Sequence, residues 1–164
     1  MVRLKSRYIL FEILYPNMDE SEHFEDNFSM KNILLRHNKV TPEEITNRVI
    51  IQDIRRSLQL NFGDYGSGKA SSLLQLKYFS NMTSTGILRC HREDIDLILS
   101  ALMLIKKLDN RIPIIFNPVK ISGTMKKIEQ FAIRRSHKLM TLMQKDTSVS
   151  MNIFKDVTVD DNND

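Results

Sequence analysis

Between Leu73 and Arg92 apolar and polar positions alternate in two short runs joined by a polar link, the pattern of a β-hairpin. In the first run Leu74, Leu76 and Tyr78 alternate with Gln75, Lys77 and Phe79; after a turn over Asn81–Gly86, Leu88 and Cys90 alternate with Ile87, Arg89 and His91. Side chains of a strand point alternately to opposite faces, so one face should be aliphatic core. The other should gather Lys77, Phe79, Arg89 and His91 into a basic surface with aromatic character, which suits RNA phosphates and bases as well as plain solvent. Around this hairpin the periodicity predicts five further elements. A strand, YILFEIL, follows the basic arm Arg3–Lys5–Arg7 and stops at Pro16. Thr41-Pro42-Glu43-Glu44 reads as a capping box opening a helix, with Ile50, Ile51, Ile54 and Leu58 on one face, Arg48, Gln52 and Arg55 on another, and an end near Asn61–Gly63.

A second helix is predicted from about Glu93 to Leu108, apolar on nearly every side between Ile95 and Ile105, so that something besides the sheet must cover it. Ile95, Leu99, Leu102 and Met103 are its candidate protein-interface residues. A fourth strand runs from Pro113 to Ser122, where Pro118 marks a sheet edge or a bulge. Gly123 ends it, and a last helix over about 124–144 sets the stripe Met125, Ile128, Ala132, Leu139 and Met143 against Lys127, Arg134 and Lys138. Residues 29–36 can form a short helix. The order strand–helix–strand–strand–helix–strand predicts an α/β (α+β) sandwich of the ferredoxin-like, RNA-recognition-like βαββαβ type with an extra C-terminal helix. The expected layout is one domain over 1–145, with an acidic and polar insertion at 17–40, followed by an acidic, disordered tail at 146–164.

Charge sharpens this picture. The formal net charge is +4, but residues 17–28 hold five acids and residues 156–164 four, with no Lys or Arg in either. The remainder carries 24 basic residues against 11 acidic ones, a balance that points to a polyanionic partner. The lone Cys90 excludes an internal disulfide and suits a reducing compartment. The opening VRLKSRYILFEIL mixes charge into its apolar residues, unlike a secretory leader, and the run from Ile95 to Ile105 is too short to span a bilayer.

Little in the chain points to catalysis. His23, His37, His91 and His137 are scattered, and Cys90 has no second cysteine at metal-ligand spacing. Cys90 and His91 are neighbours in a strand, point to opposite faces and cannot form a nucleophile–base pair. Gly63, Gly68 and Lys69 fit most of a phosphate-loop pattern, but Ala70 stands where a Ser or Thr should hold magnesium, and a helix precedes the loop instead of following it. A helix stop and turn is the better reading, with Lys69 free to touch a phosphate. Thr85-Gly86-Ile87-Leu88-Arg89-Cys90 keeps the glycine of the RNA-recognition signature but has aliphatics in place of its stacking aromatics.

The segments VRLKSRYILFEI (2–13), RRSLQLNFGDYGS (55–67), LLQLKYFSNMTSTGILRCHRED (73–94) and NPVKISGTMKKIEQFAIRR (117–135) resemble the small protein subunit of ribonuclease P and RNase MRP, the processing-of-precursors subunit five family. The similarity spans residues 1–15 and about 48–136. It implies a ferredoxin-like, non-catalytic subunit of a nuclear and nucleolar ribonucleoprotein whose catalyst is RNA. That particle removes 5′ leaders from precursor tRNA and, in its MRP form, processes precursor rRNA. The implied partners are the catalytic RNA, a TIM-barrel-like companion subunit and other particle proteins, with no membrane. The implied protein binds no cofactor, and Mg2+ belongs to the RNA active site. The candidate RNA-binding residues are Arg3, Lys5, Arg7, Lys69, Lys77, Phe79, Arg89, His91, Arg92, Lys127, Arg134 and Lys138. Two other readings stand beside this one: a protein–protein adaptor in the same particle, and an autonomous nucleotide-using enzyme built on the imperfect phosphate loop.

Overall fold

In the computed structural model, residues 5–16, 36–138 and 140–141 are described. The chain divides into two compact units, residues 1–128 and 129–164. The first is built on a four-stranded antiparallel sheet of β1 (Ser6–Leu14), β2 (Gln75–Ser80), β3 (Thr85–His91) and, as its fourth strand, β6 (Ile115–Ser122). Helix α1 (Asn47–Ser71) connects β1 to β2; a 3-10 turn (Arg92–Asp94) and α2 (Ile95–Leu104) lead from β3 to a small separate hairpin, β4 (Lys107–Leu108) and β5 (Ile112–Pro113). A last helix, α3 (125–138), begins in the first unit and continues into the second. The sheet order β2-β3-β1-β6, antiparallel throughout, is the ferredoxin-like order expected from the sequence.

One sheet face carries the main core. Ile9, Phe11 and Ile13 of β1, Leu88 and Cys90 of β3, and Phe116 of β6 meet Ile50, Ile54 and Leu58 of α1 and Ile98, Ala101 and Leu102 of α2 in one buried cluster. The spacing of Ile50, Ile54 and Leu58, all fully buried, gives α1 a single apolar face; each such side chain contributes about 2 kcal/mol of transfer free energy. Gly86 makes room for the rings. A Cβ there would sit 2.4 Å from the Phe11 ring, which stacks on Phe79 with centroids 6.4 Å apart. The opposite sheet face is not bare. Leu10, Leu14 and Ile87 are buried on it, outside the main cluster; Ile128, early in α3, is fully buried and also outside that cluster.

Five expectations need correction. First, β2 carries a register shift between Leu76 and Tyr78, so Lys77 is an extra residue and the alternation reverses beyond it. Phe79, placed by period two on the basic face, instead opposes Gly86 and packs on Phe11, while Tyr78 turns out and is 51% exposed. Second, α1 starts at Asn47, not at the Thr41 capping box. The Thr41 hydroxyl is buried, accepts from the Tyr15 hydroxyl at 2.8 Å and donates to Ser84 Oγ at 2.8 Å. That network ties the approach to α1 onto the β2–β3 turn, where Asn81 Nδ2 also donates to the Pro42 and Ile45 carbonyls. Third, α1 does not end near Gly63. It breaks there, at φ 63° and ψ −164°, and resumes through to Ser71.

Fourth, α2 stops at Leu104. Ile105 is extended, and it and Leu108 are buried in the core through the β4 segment, so tertiary burial overrides the helical pattern. The β4–β5 turn uses Asp109 and Asn110 at positive φ, a conformation these two residue types tolerate. Fifth, Arg7 belongs to β1 instead of a free arm, paired in register with Cys90. The Pro118 expectation holds both ways: β6 is an edge strand, and its register shifts beside Pro118. The predicted insertion at 17–28, most of the helix at 29–36, and the acidic tail lie outside the described residues.

Candidate nucleic-acid interface

Arg48, Gln52 and Arg55 recur at helical spacing on the side of α1 away from its buried stripe, and they face the start of β2. With Asn47, Ile51, Gln75, Leu76 and Lys77 they line a groove of about 580 Å³ between the helix and the sheet edge. The floor is apolar, from half-buried Ile51 and Leu76; the walls are exposed and polar. Of the described residues, three cations and three amides line it, and no carboxylate does. Among the described residues, neither an ion pair nor a side-chain hydrogen bond engages Arg48, Arg55 or Lys77. Such a surface attracts polyanions, because none of the described residues neutralises its charge.

Other cations of the same unit are already engaged. Arg56, next in sequence to Arg55, lies 3.2 Å from the Asp53 carboxylate and 3.3 Å from the Asn110 side-chain carbonyl. Asp53 also accepts the Asp109 amide at 2.8 Å, fastening the β4–β5 turn to α1. Lys69, expected to be free for a phosphate, stands 3.8 Å from buried Asp94 and bridges the end of α1 to the start of α2. Between these points Ser57 Oγ donates to the Ala101 carbonyl at 2.8 Å.

The structure disperses the remaining predicted residues. Lys77 joins the groove. Phe79 is in the core layer, so its ring is turned away from the face shared by Arg89 and His91. Arg89 is half-buried opposite Tyr8 of β1, with its Nε sealed from solvent and lacking a hydrogen-bond partner. His91 is half-buried opposite Ser6. Arg92 and Lys5 are exposed neighbours, the Arg92 amide donating to the Lys5 carbonyl at 2.9 Å. Arg7 is half-buried and donates to the Ser6 carbonyl at 3.0 Å; Arg3 lies outside the described residues. Lys127 is exposed on α3 in the first unit, and Arg134 and Lys138 lie on the helix of the second. On α2, Leu102 faces the core and Ile95 and Leu99 are half-buried against it, whereas Met103 is 72% and Leu104 50% exposed. Arg48 and Arg55 are not among the RNA-binding residues the sequence offers, although helical spacing groups them on one polar face.

Comparison with known proteins bears on what this geometry serves. The pattern of the Rpp14/Pop5 family matches residues 7–133. The chain belongs to the Rpp14/Pop5 family. It is 58% identical to the Saccharomyces cerevisiae protein named Ribonuclease P/MRP protein subunit POP5, over 88% of this chain and 82% of that one. It is 43% identical to the Schizosaccharomyces pombe protein of the same name, over 83% and 88% of the two chains. A chain from the cryo-EM structure of yeast Ribonuclease MRP overlays loosely, with a TM-score of 0.45 and 13% identity, over 91% of this chain and 98% of its own.

Titratable groups in this family member serve packing as well. Burial pushes the Cys90 thiol up to about 11, with the Asp94 carboxylate adding to the rise and Arg7 opposing it. Burial likewise raises Tyr15, against the hydrogen bonds from its hydroxyl environment at Thr41 and Ser84. Cys90 is therefore a protonated core side chain at neutral pH.

Proposed function

We propose that this chain is a non-catalytic, RNA-binding protein subunit of ribonuclease P and RNase MRP. It supports the catalytic RNA in removal of precursor tRNA 5′ leaders and in precursor rRNA processing. The observation that carries the reading is the 58% identity, over most of both chains, to the yeast protein named as a subunit of those particles. The unpaired cations of the α1–β2 groove supply the physical means of RNA contact. In this reading Mg2+ chemistry belongs to the RNA, and the protein contributes charge neutralisation and a rigid edge. The working location is the nucleus and nucleolus, where those RNAs are matured.

A second role runs in parallel. Met103 and Leu104 expose adjacent apolar side chains at the end of α2, which favours a protein neighbour there. The companion subunit with a TIM-barrel-like fold is the occupant this reading assigns. The adaptor-only alternative keeps that contact and denies the RNA one. To test the reading, the tagged protein is purified from its own cells and assayed for 5′-leader removal before and after micrococcal nuclease digestion and inactivation of that nuclease. Cleavage that vanishes with the RNA supports it. Cleavage that survives assigns catalysis to protein, and absence of cleavage from the start favours a different particle.

A further inference from the structure

We infer that the α1–β2 groove takes a single unpaired RNA strand laid along the edge of β2, and not an RNA duplex. This rests on the RNA-subunit reading above and specifies the surface and the form of the RNA. Three observations carry it. Arg48 and Arg55 are two helical turns apart, about 10 Å along the axis at 1.5 Å per residue, with Lys77 on the opposite wall. They make a cationic line on one side of the groove and a single charge on the other, a track for one backbone. Asn47, Gln52 and Gln75 stand among these cations, each offering both a donor and an acceptor.

Amides of this kind read base edges, which a strand out of duplex exposes. An A-form duplex hides those edges in a major groove too deep and narrow for side chains. The third observation is the wall itself. β2 lies at the edge of the sheet, so among the described residues its outward backbone N–H and C=O groups have no strand partner. The concave space between the helix and one strand, about 580 Å³, is of a size to seat one strand. Among the described residues the lining has no aromatic ring, so stacking on a side chain does not hold the bases there.

Fluorescence anisotropy on the full chain tests this, using a labelled U-rich RNA too short to fold and the same RNA annealed to its complement, each over a range of salt. Wild type should bind the strand at least tenfold more tightly than the duplex. Arg48→Ala/Arg55→Ala/Lys77→Ala should lose about 100-fold in strand affinity and flatten the log–log salt slope by about 2, the loss expected for three phosphate contacts on a single strand. Lys106→Ala/Lys107→Ala/Lys126→Ala, an equal charge change at exposed sites outside the groove, should stay within threefold of wild type. All three groove cations are exposed, so thermal unfolding should confirm that the variant folds, and R48K/R55K/K77R should bind nearly as wild type does. Duplex bound as tightly as strand, or strand affinity indifferent to the groove variant, overturns the inference while the RNA-subunit reading stands. An acidic peptide that displaces the strand and binds the groove more tightly than RNA overturns it in favour of a protein ligand. No salt-sensitive RNA affinity in wild type removes both readings.

Discussion

Helix α1 carries cations on two sides, and the sides differ in what faces them. Toward the start of β2, Arg48 and Arg55 meet amides, Lys77 and solvent. Toward α2 and the β4–β5 turn, Arg56 and Lys69 meet Asp53, Asn110 and Asp94. Residues 55 and 56 are adjacent in the chain, yet one belongs to an open groove and the other to a hydrogen-bonded seam. Basic composition alone cannot assign a partner, because a cation already matched by a carboxylate has little field left for one. Only the unmatched cations form a surface.

Five substitutions or reactions break or sharpen that contrast. The largest effect is expected from reversing the groove: Arg48→Glu/Arg55→Glu/Lys77→Glu should abolish measurable RNA binding at moderate salt, a loss of more than about 100-fold by filter binding. Loss of less than threefold would place RNA elsewhere. At the buried foot of the seam lies Cys90, beside Asp94. A thiol pushed to about 11 from 9.0 holds about a hundredfold less thiolate at pH 8, so disulfide reagents should modify the folded protein at least that much more slowly than the urea-unfolded chain. Because folding raises this pKa, its contribution to stability is full below about pH 9 and is lost as pH rises toward about 11. Stability that grows over that interval would contradict the buried-thiol account.

Asp53→Ala should cost about 2 kcal/mol in urea unfolding, since it strands the Asp109 amide and Arg56 together. Its RNA salt slope should match wild type. Ser57→Ala, which removes the hydroxyl donated to the Ala101 carbonyl and accepting from Asn61, should cost about 1 kcal/mol. At the small end, Arg48→Ala/Arg55→Ala should change stability by less than about 0.5 kcal/mol, because neither side chain is buried or paired.

The same contrast explains how far the residues could be read without coordinates. The four main strands and two helices of the sandwich were legible, because β-branched alternation in YILFEIL and the hairpin, and the spacing of Ile50, Ile54 and Leu58, are local patterns with one solution. The bulge at Lys77 was not. A single inserted residue leaves no trace in composition, yet it moved Phe79 from the proposed RNA face into the ring stack over Gly86. Thr41 has every local mark of a helix cap, but its hydroxyl is engaged by Tyr15 and Ser84, residues distant in the chain. For the interface, helical spacing already grouped Arg48, Gln52 and Arg55. Neither their meeting with Lys77 nor the capture of Lys69 by Asp94 could be seen, because both depend on how α1 lies against other elements.

The most direct test of the account compares two double variants of α1, Arg48→Ala/Arg55→Ala and Arg56→Ala/Lys69→Ala, in the salt dependence of RNA affinity and in thermal unfolding. Both remove the same charge from the same helix. The groove pair should flatten the salt slope and leave the melting temperature in place, whereas the seam pair should lower the melting temperature and leave the slope unchanged. Equal flattening of the slope by both pairs would contradict the account, showing that RNA responds to the net charge of the helix and not to a built groove.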